Sequence, residues 1–447
     1  RISFFLNAGI RFVEEMCKCR AMTRLWEELG RERYGIDDAK MLRLRYGVQV
    51  NSLGLTEAQP ENNIIRIALE ALGVTLSKRA RARSLQLPAW NEALGLPRPW
   101  DQQLSLRTQQ ILAHETDLLE YEDLFDGSHV VEARTDELFE AAREELQRVL
   151  EMGGAVAAVE NAYMKQRLVE SHTDRLRRIE SGELTVVGVN AFTETVESPL
   201  VAAGSEAILK VDESAERDQI ESLRAFRSRR NEDEVKRALQ ALEDVVKSGG
   251  NVMPPSIEAA RAGVTTGEWS DVLRAVFGEY RAPTGVGSAR GAAANDEVAQ
   301  VQARVEAISQ GLGRRLKILV GKPGLDGHSN GAEQIAVKAR DVGMEVVYDG
   351  IRLTPAEIVQ SARDEGVHVI GLSILSGSHG VLVVDVVDRL REAGLEALPV
   401  VVGGIIPEDD AEKLRKAGVR RVYTPKDFDL TRIMDEIVDV VAESNAA

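Results

Sequence analysis

The sequence predicts an α/β protein: two regions of parallel sheet joined by a helical stretch. Three observations carry that expectation. The last part of the chain alternates short apolar, β-prone runs with amphipathic helical stretches, five times in about 130 residues, which is the pattern of a doubly wound, flavodoxin-like (Rossmann-like) sheet. The first part alternates in the same sense, and repeated β-then-α units imply parallel crossovers. Between them lie long segments rich in Glu, Arg and Ala with no strand signal.

In order along the chain, Ile2–Phe5 is apolar and β-prone. Phe12, Met16, Cys19, Met22 and Trp26 then recur at helical spacing, predicting an amphipathic helix over Phe12–Leu29. Leu44–Val50 is the next strand, followed by a loop through Gln59-Pro60-Glu61 and a helix from Asn62 to Leu76. Ser84–Leu87 is a third short strand, ended by Pro88. Residues 131–181 and 205–281 are expected to be mostly helical. A breaker stretch follows, Ala282-Pro283-Thr284-Gly285-Val286-Gly287 and then Gly291-Ala292-Ala293-Ala294, which predicts a linker. The final strands are expected at Leu316–Val320, Glu345–Tyr348, Val367–Leu372, Pro399–Val402 and Arg421–Tyr423, with helices near 329–342, 355–365, 380–393, 408–417 and 430–443. The expected organisation is therefore 1–130 α/β, 131–281 helical connection, 282–314 linker and 315–447 doubly wound domain.

Composition narrows the function. At 447 residues, with 44% hydrophobic and 29% charged residues, the chain has the make-up of a folded protein of two to four domains. Against 72 Asp and Glu there are 56 Lys and Arg, and a net charge of −16 argues against nucleic acid as a main partner. No apolar run approaches the roughly 20 residues of a membrane helix and no signal peptide is read at the start, so a cytoplasmic protein is expected. Cys17 and Cys19 are the only cysteines and point to different helix faces, which reads as reduced thiols. The chain opens in what reads as a buried strand, so a preceding N-terminal part is expected.

In a doubly wound sheet the ligand sits at the carboxyl ends of the strands. There the sequence reads Gly321-Lys322-Pro323-Gly324-Leu325-Asp326-Gly327-His328-Ser329-Asn330-Gly331. It lacks both the Walker and the dinucleotide glycine spacings. A metal-bound histidine commonly donates its second ring N–H to a carboxylate; Asp326 is placed to do this for His328, with Lys322 paired to Asp326. Taken alone, the same Asp-x-His is also what an exposed loop histidine looks like. The third and fourth strands add Ser373-Ile374-Leu375 and Gly403-Gly404 on the same side of the sheet, the glycines leaving room for a long inserted group.

Asp326-x-His328-x-x-Gly331, then Ser373-x-Leu375, then Gly403-Gly404, resembles the cobalamin-binding signature of B12-dependent mutases. The resemblance implies that His328 replaces the cofactor's own base as the lower cobalt ligand, with Asp326 and Lys322 behind it. It places Gly327, Gly331, Ser373, Leu375, Gly403 and Gly404 around the displaced nucleotide tail. The rest of the chain is similar to the acyl-CoA mutases of that group. The similarity lies in Arg1-Ile2-Ser3-Phe4-Phe5, Arg20-Ala21-x-x-Arg24-Leu25-Trp26, Gln49, Leu55-Thr56-Glu57, Asn62-Asn63-Ile64-x-Arg66 and Asn91-Glu92-Ala93-Leu94-Gly95-Leu96-Pro97. It implies that residues 1–130 are the C-terminal part of a (β/α)₈ TIM barrel, about its last three strands. Arg1 and Ser3 would contact coenzyme A, Phe5 would flank the acyl group, and Gln49 and Glu92 would contact the adenosyl moiety.

The segments Leu85–Trp90 and Arg98–Gln103 look most like the ethylmalonyl-CoA branch of the family; methylmalonyl-CoA mutases usually carry a His-Thr-Asn-type segment near 86–89. The resemblance thus implies an adenosylcobalamin-dependent isomerase converting ethylmalonyl-CoA to methylsuccinyl-CoA. Methylmalonyl-CoA/succinyl-CoA interconversion and a non-catalytic B12-binding subunit are the alternatives. Expected partners are the acyl-CoA and either a second copy or a completing N-terminal segment or chain. The family's substrate tyrosine and catalytic histidine belong to earlier barrel strands, so no catalytic acid or base is assigned. Of the other histidines, His114, His129 and His172 are expected to be structural, His368 a core or strand-end residue, and His379 structural or a cofactor contact.

Overall fold

The computed structural model describes residues 2–196, 198, 200, 208–209, 213–281, 283–284, 296–427 and 429–446. Arg1 and most of the breaker stretch, residues 282 and 285–294, lie outside them.

The N-terminal region is a three-stranded parallel sheet, β1 (Phe4–Ala8), β2 (Tyr46–Val50) and β3 (Ser84–Gln86), in that spatial order. Between the strands run α1 (Phe12–Tyr34), the short α2 (Ala39–Leu42) and α3 (Asn62–Leu76). Side chains alternate across the sheet. Phe4, Leu6, Ala8, Tyr46, Val48 and Leu85 meet α1 and α3 in one core with Cys19, Met22, Trp26 and Val74. The Phe4 and Trp26 rings pack edge to face, 5.0 Å between centroids. On the other face the pairing register sets Phe5, Gly47 and Ser84 in one row and Asn7, Gln49 and Gln86 in the next. Phe5 is 59% exposed there, and a side chain at Gly47 would begin 2.6 Å from its ring. The first strand runs three residues beyond its expected end because Ala8 still pairs with Val50.

Next come α4 (Pro99–His114), α5 (His129–Glu151), α6 (Ala155–Glu160) and α7 (Tyr163–Glu180). α5 lies along α1, burying Met16, Cys17 and Val131 in one cluster and Ala21, Leu25 and Phe139 in another. Arg20 crosses this seam almost fully buried and donates to Asp123 at 2.5 Å and to Glu132 at 3.2 Å. Both cysteines are free and buried.

A separate compact unit, residues 210–282, holds α8 (Glu213–Arg229), α9 (Glu232–Lys247), α10 (Met253–Arg261) and α11 (Thr266–Phe277). Arg230 grips both oxygens of Glu268 at 2.7 Å, and Glu268 also closes the capping box of α11 with Thr265. The guanidinium bonds hold that carboxyl down to about 2.

The C-terminal domain is introduced by α12 (Asp296–Leu312), a helix within the stretch 282–314 that was expected to be a linker. Val298, Val301 and Val305 are buried against the helix that ends the chain, and Arg304 pairs with Asp435 and Asp439 on it. The valines are spaced for one helix face, but Ala and Gly around them masked the pattern. Five β/α units follow: β4 (Lys317–Gly321), α13 (Asn330–Asp341), β5 (Glu345–Val347), α14 (Pro355–Glu365), β6 (Val369–Ile374), α15 (His379–Glu392), β7 (Val400–Gly404), α16 (Glu408–Ala417), β8 (Arg421–Tyr423) and α17 (Leu430–Ala446). The strands are all parallel in the order β5-β4-β6-β7-β8, the flavodoxin arrangement. Helices α12, α13 and α17 cover one face and α14, α15 and α16 the other, each over its own apolar core. Among the described residues, no helix is long and apolar enough to cross a membrane.

Glu70 on α3 is 2% exposed, and its Oε2 has no hydrogen-bond partner among the described residues. Burial, with the Glu15 charge nearby, pushes its carboxyl up to about 8 against the pull of Arg66. A raised folded-state value means that its share of stability is intact below the unfolded pKa near 4.5 and is lost as pH rises toward 8. The E70Q variant should match the parent near pH 5 and be more stable by on the order of 2 kcal/mol at pH 8. Urea unfolding at the two pH values checks this, and an unchanged difference between them contradicts it.

Candidate functional site

The carboxyl ends of β4, β6 and β7 open on one side of the C-terminal sheet. Lys322 leaves β4 wholly buried, and its Nζ donates to Asp326 Oδ2 at 2.6 Å and to the Ser373 carbonyl at 3.4 Å. Asp326 Oδ2 also accepts the Leu375 N–H at 3.2 Å. Its Oδ1 accepts the His328 N–H at 3.0 Å and faces His328 Nδ1 at 2.7 Å. One carboxylate thus collects Lys322, His328 and the end of β6. Burial alone would raise its pKa, but the Lys322 ammonium and the His328 donors outweigh burial and hold it well below the carboxylate range. The His328 side chain is 76% exposed. With Nδ1 turned to Asp326, Nε2 is the nitrogen left to meet an incoming group.

Gly403 and Gly404 differ in what they do. A Cβ at Gly404 would lie 1.8 Å from the Ile374 carbonyl oxygen, so the close approach of β6 and β7 requires glycine there. A Cβ at Gly403 would meet nothing within 4 Å and would project into open space in front of the sheet. Gly331 faces Ser373, its would-be Cβ 3.7 Å from the hydroxyl. Ser373 and Leu375 are both half-buried at this edge. An exposed, carboxylate-held imidazole on the same side of the sheet as the open space at Gly403 fits a metal-centred cofactor with a long tail.

The N-terminal sheet brings its own strand ends to the same place. Gln49 sits between Asn7 and Gln86 near the end of β2. Glu92 lies in the loop after β3; burial raises its carboxyl, and the His328 charge opposes that shift, which places the two groups within electrostatic reach. In the same loop Leu96 lies against Gly377, 3.6 Å from where its Cβ would stand. Lys426, after β8, pairs with Glu57 in the loop after β2 at 3.2 Å.

Of the other expected site residues, Phe5 stays on the open face of the sheet, away from the helices. Ser3 is exposed and donates to the Arg45 carbonyl at 3.3 Å. Arg1 lies outside the described residues. Gly327 is next to the Arg352 guanidinium. His368 accepts the Lys317 N–H at 2.9 Å, a strand-end role. His379 is buried at the start of α15 with Nε2 3.0 Å from Asp410 Oδ2, while its Nδ1 has no hydrogen-bond partner among the described residues.

Sequence reasoning missed the group that shapes the Glu92 loop. Asp101, fully buried in the first turn of α4, accepts from Trp90 Nε1 at 3.1 Å and from Asn91 Nδ2 at 2.9 Å. It also takes the Arg98 N–H at 2.9 Å and its guanidinium at 2.9 and 3.0 Å. The available signal was Arg-Pro-Trp-Asp itself, a Pro-initiated helix with an acid in its first turn.

Comparison with known proteins agrees with this architecture. Residues 1–279 match the family model of methylmalonyl-CoA mutase, and residues 316–426 match the B12 binding domain. The chain belongs to the methylmalonyl-CoA mutase family, and its C-terminal domain is a B12-binding domain. Within that family its relatives include ethylmalonyl-CoA mutases. It is 61% identical over 441 residues to ethylmalonyl-CoA mutase of Cereibacter sphaeroides, covering 99% of this chain and 67% of the relative. To that of Methylorubrum extorquens it is 59% identical over 443 residues, covering 99% and 64%. The methylmalonyl-CoA mutase of Cereibacter sphaeroides is 35% identical over 450 residues, 100% of this chain and 62% of its own. The chain thus spans about two thirds of the length of the ethylmalonyl-CoA mutases it matches.

Asp101 yields a prediction. Burial works against its charge, yet the Arg98 and Asn91 donors hold the carboxyl below its ordinary value. Its contribution is therefore present above the unfolded pKa of about 4 and is lost as pH falls through the folded value. Replacement in D101A removes the acceptor of the buried Trp90 Nε1 and one partner of Arg98, and should destabilise by about 1–3 kcal/mol at pH 7. The deficit should shrink below pH 4. Urea unfolding followed by tryptophan fluorescence at pH 7 and pH 3.5 tests both statements.

Proposed function

We propose that the chain is the cobalamin-binding and late-barrel portion of an adenosylcobalamin-dependent isomerase that converts ethylmalonyl-CoA to methylsuccinyl-CoA. The observation that supports this most is the imidazole of His328, exposed and held by Asp326. The pull of the similarity toward ethylmalonyl-CoA rather than methylmalonyl-CoA mutases supports the choice of substrate.

When bound, adenosylcobalamin supplies the radical chemistry of the carbon-skeleton rearrangement. The residues of this chain hold and orient. His328 would hold the cobalt through Nε2. Asp326 fixes the ring and its tautomer by taking Nδ1–H. Lys322 compensates the Asp326 charge from below, so that the carboxylate stays ionised in a buried position. Gly327, Gly331, Ser373, Leu375, Gly403 and Gly404 would line the nucleotide tail. Gln49 and Glu92 would hold the adenosyl group, the raised carboxyl of Glu92 being suited to hydrogen bonding with ribose hydroxyls. Phe5, exposed over Gly47, would flank the acyl chain, with Ser3 and Arg1 toward coenzyme A. Working in the cytoplasm accords with the reduced thiols.

The test is an ultraviolet–visible titration of the folded chain with adenosylcobalamin, with H328A beside it. The parent should bind the cofactor with its own base displaced and a histidine in its place. In H328A the dissociation constant should rise about 10–100-fold and the histidine-ligated spectrum should vanish. Equal binding by H328A, or no binding by folded parent, contradicts the assignment. Turnover of ethylmalonyl-CoA and of methylmalonyl-CoA by the loaded protein, with the earlier barrel strands supplied, then separates the two substrates, and binding without turnover of either marks a B12-binding subunit.

A further inference from the structure

Helix α13 starts directly behind His328, and its N-terminus is unusual in one respect. Ser329 occupies the N-cap position, but its hydroxyl makes no capping bond to α13. An N-cap serine normally accepts a backbone N–H from the first turn. Here the Ser329 hydroxyl is instead 2.7 Å from Lys165 Nζ, on α7. The same ammonium is 2.7 Å from Glu333 Oε1, one turn into α13. Glu333 is 2% exposed, and Lys165 is its only ion-pair partner among the described residues. The seam continues along both helices: Thr173 donates to Gln334 at 3.3 Å, Lys338 pairs with Glu180, and Val169 enters the core beneath α13.

We infer that Lys165 is a positioning residue for the His328 loop, an inference that rests on the reading of His328 as the cobalt ligand. The loop from Lys322 to Ser329 is anchored at its front by Asp326. At its rear, Ser329 is tied not to its own helix but to the connecting region outside the doubly wound domain. Lys165 fixes the Ser329 end in two ways: it holds the hydroxyl, and it neutralises the buried Glu333 that sets the first turn of α13. His328 lies between these two anchors, with only Gly327 separating it from Asp326. The connecting helix therefore takes part in aiming the imidazole, and the doubly wound sheet does not do so alone.

The chain, its variants K165M, K165R and S329A, and H328A are titrated with hydroxocobalamin. Each protein is labelled with 15N-histidine, and each complex is reduced to the cobalt(II) form and examined by electron paramagnetic resonance, where two-line nitrogen splitting of the cobalt lines reports imidazole ligation and three-line splitting the cofactor's own base. Thermal unfolding is followed in parallel. The parent should show the two-line splitting. K165M should bind about tenfold more weakly with the splitting diminished, and K165R, which keeps the charge, should restore most of both. S329A removes one hydroxyl without touching the Glu333 pair and should move both readouts in the same direction by a smaller factor. K165M and S329A that match the parent in affinity and splitting overturn the inference, and should K165M not fold, S329A decides it. Absence of two-line splitting in the parent, or its survival in H328A, overturns the His328 assignment and this inference with it.

Discussion

The C-terminal site depends on a single buried acceptor, the carboxylate of Asp326. Its two oxygens collect an ammonium from the end of β4, a backbone N–H from the end of β6, and the backbone and ring of His328. Each of these groups would be costly alone. Lys322 is wholly buried, and an unpaired buried charge is worth several kcal/mol against folding. Asp326 satisfies it, and Lys322 in turn keeps Asp326 ionised, so neither can be removed without stranding the other. Because the donors come from separate strands, satisfying this carboxylate also fixes how the loop after β4 lies over the end of β6. The position of the imidazole follows from that closure.

A second constraint acts from the other sheet. The loop after β3 carries Glu92 and is largely buried where it leaves the strand, and it is shaped by wrapping Trp90, Asn91 and Arg98 around the buried Asp101. The two sites share a logic: a desolvated carboxylate is tolerated because several donors converge on it, and the converging donors are what give an otherwise irregular loop one shape. Arg20, with Asp123 and Glu132, repeats the arrangement with the charges reversed along the seam of α1 and α5.

Much of this was legible in the sequence because the doubly wound domain is locally consistent. Short apolar strands, capped helices and glycine-marked turns agree with one another, and the predicted helices at 355–365 and 408–417 coincide with α14 and α16. The pairing of Asp326 with Lys322 and His328 followed from spacing, since all three lie on one loop. The bond from Leu375 N–H to Asp326 did not, because it is a backbone contact across 49 residues. α12 was hidden by its small residues. α4 was hidden by a weak apolar pattern, with Asp101 its one buried residue. Lys165 was equally out of sight: a lysine in a charge-laced helix looks like solvated surface until the structure sets α7 beside α13.

The two adjacent glycines at the end of β7 carry a separate implication. They are a pair in the sequence but not in their causes: Gly404 is demanded by the backbone of the neighbouring strand, whereas Gly403 is demanded only by whatever fills the space in front of it. A lineage that left this space without an occupant would feel no pressure on Gly403 and full pressure on Gly404. The state of the first glycine, read against the second, is thus a record of whether a sheet of this kind still has work to do, separable from whether it still folds.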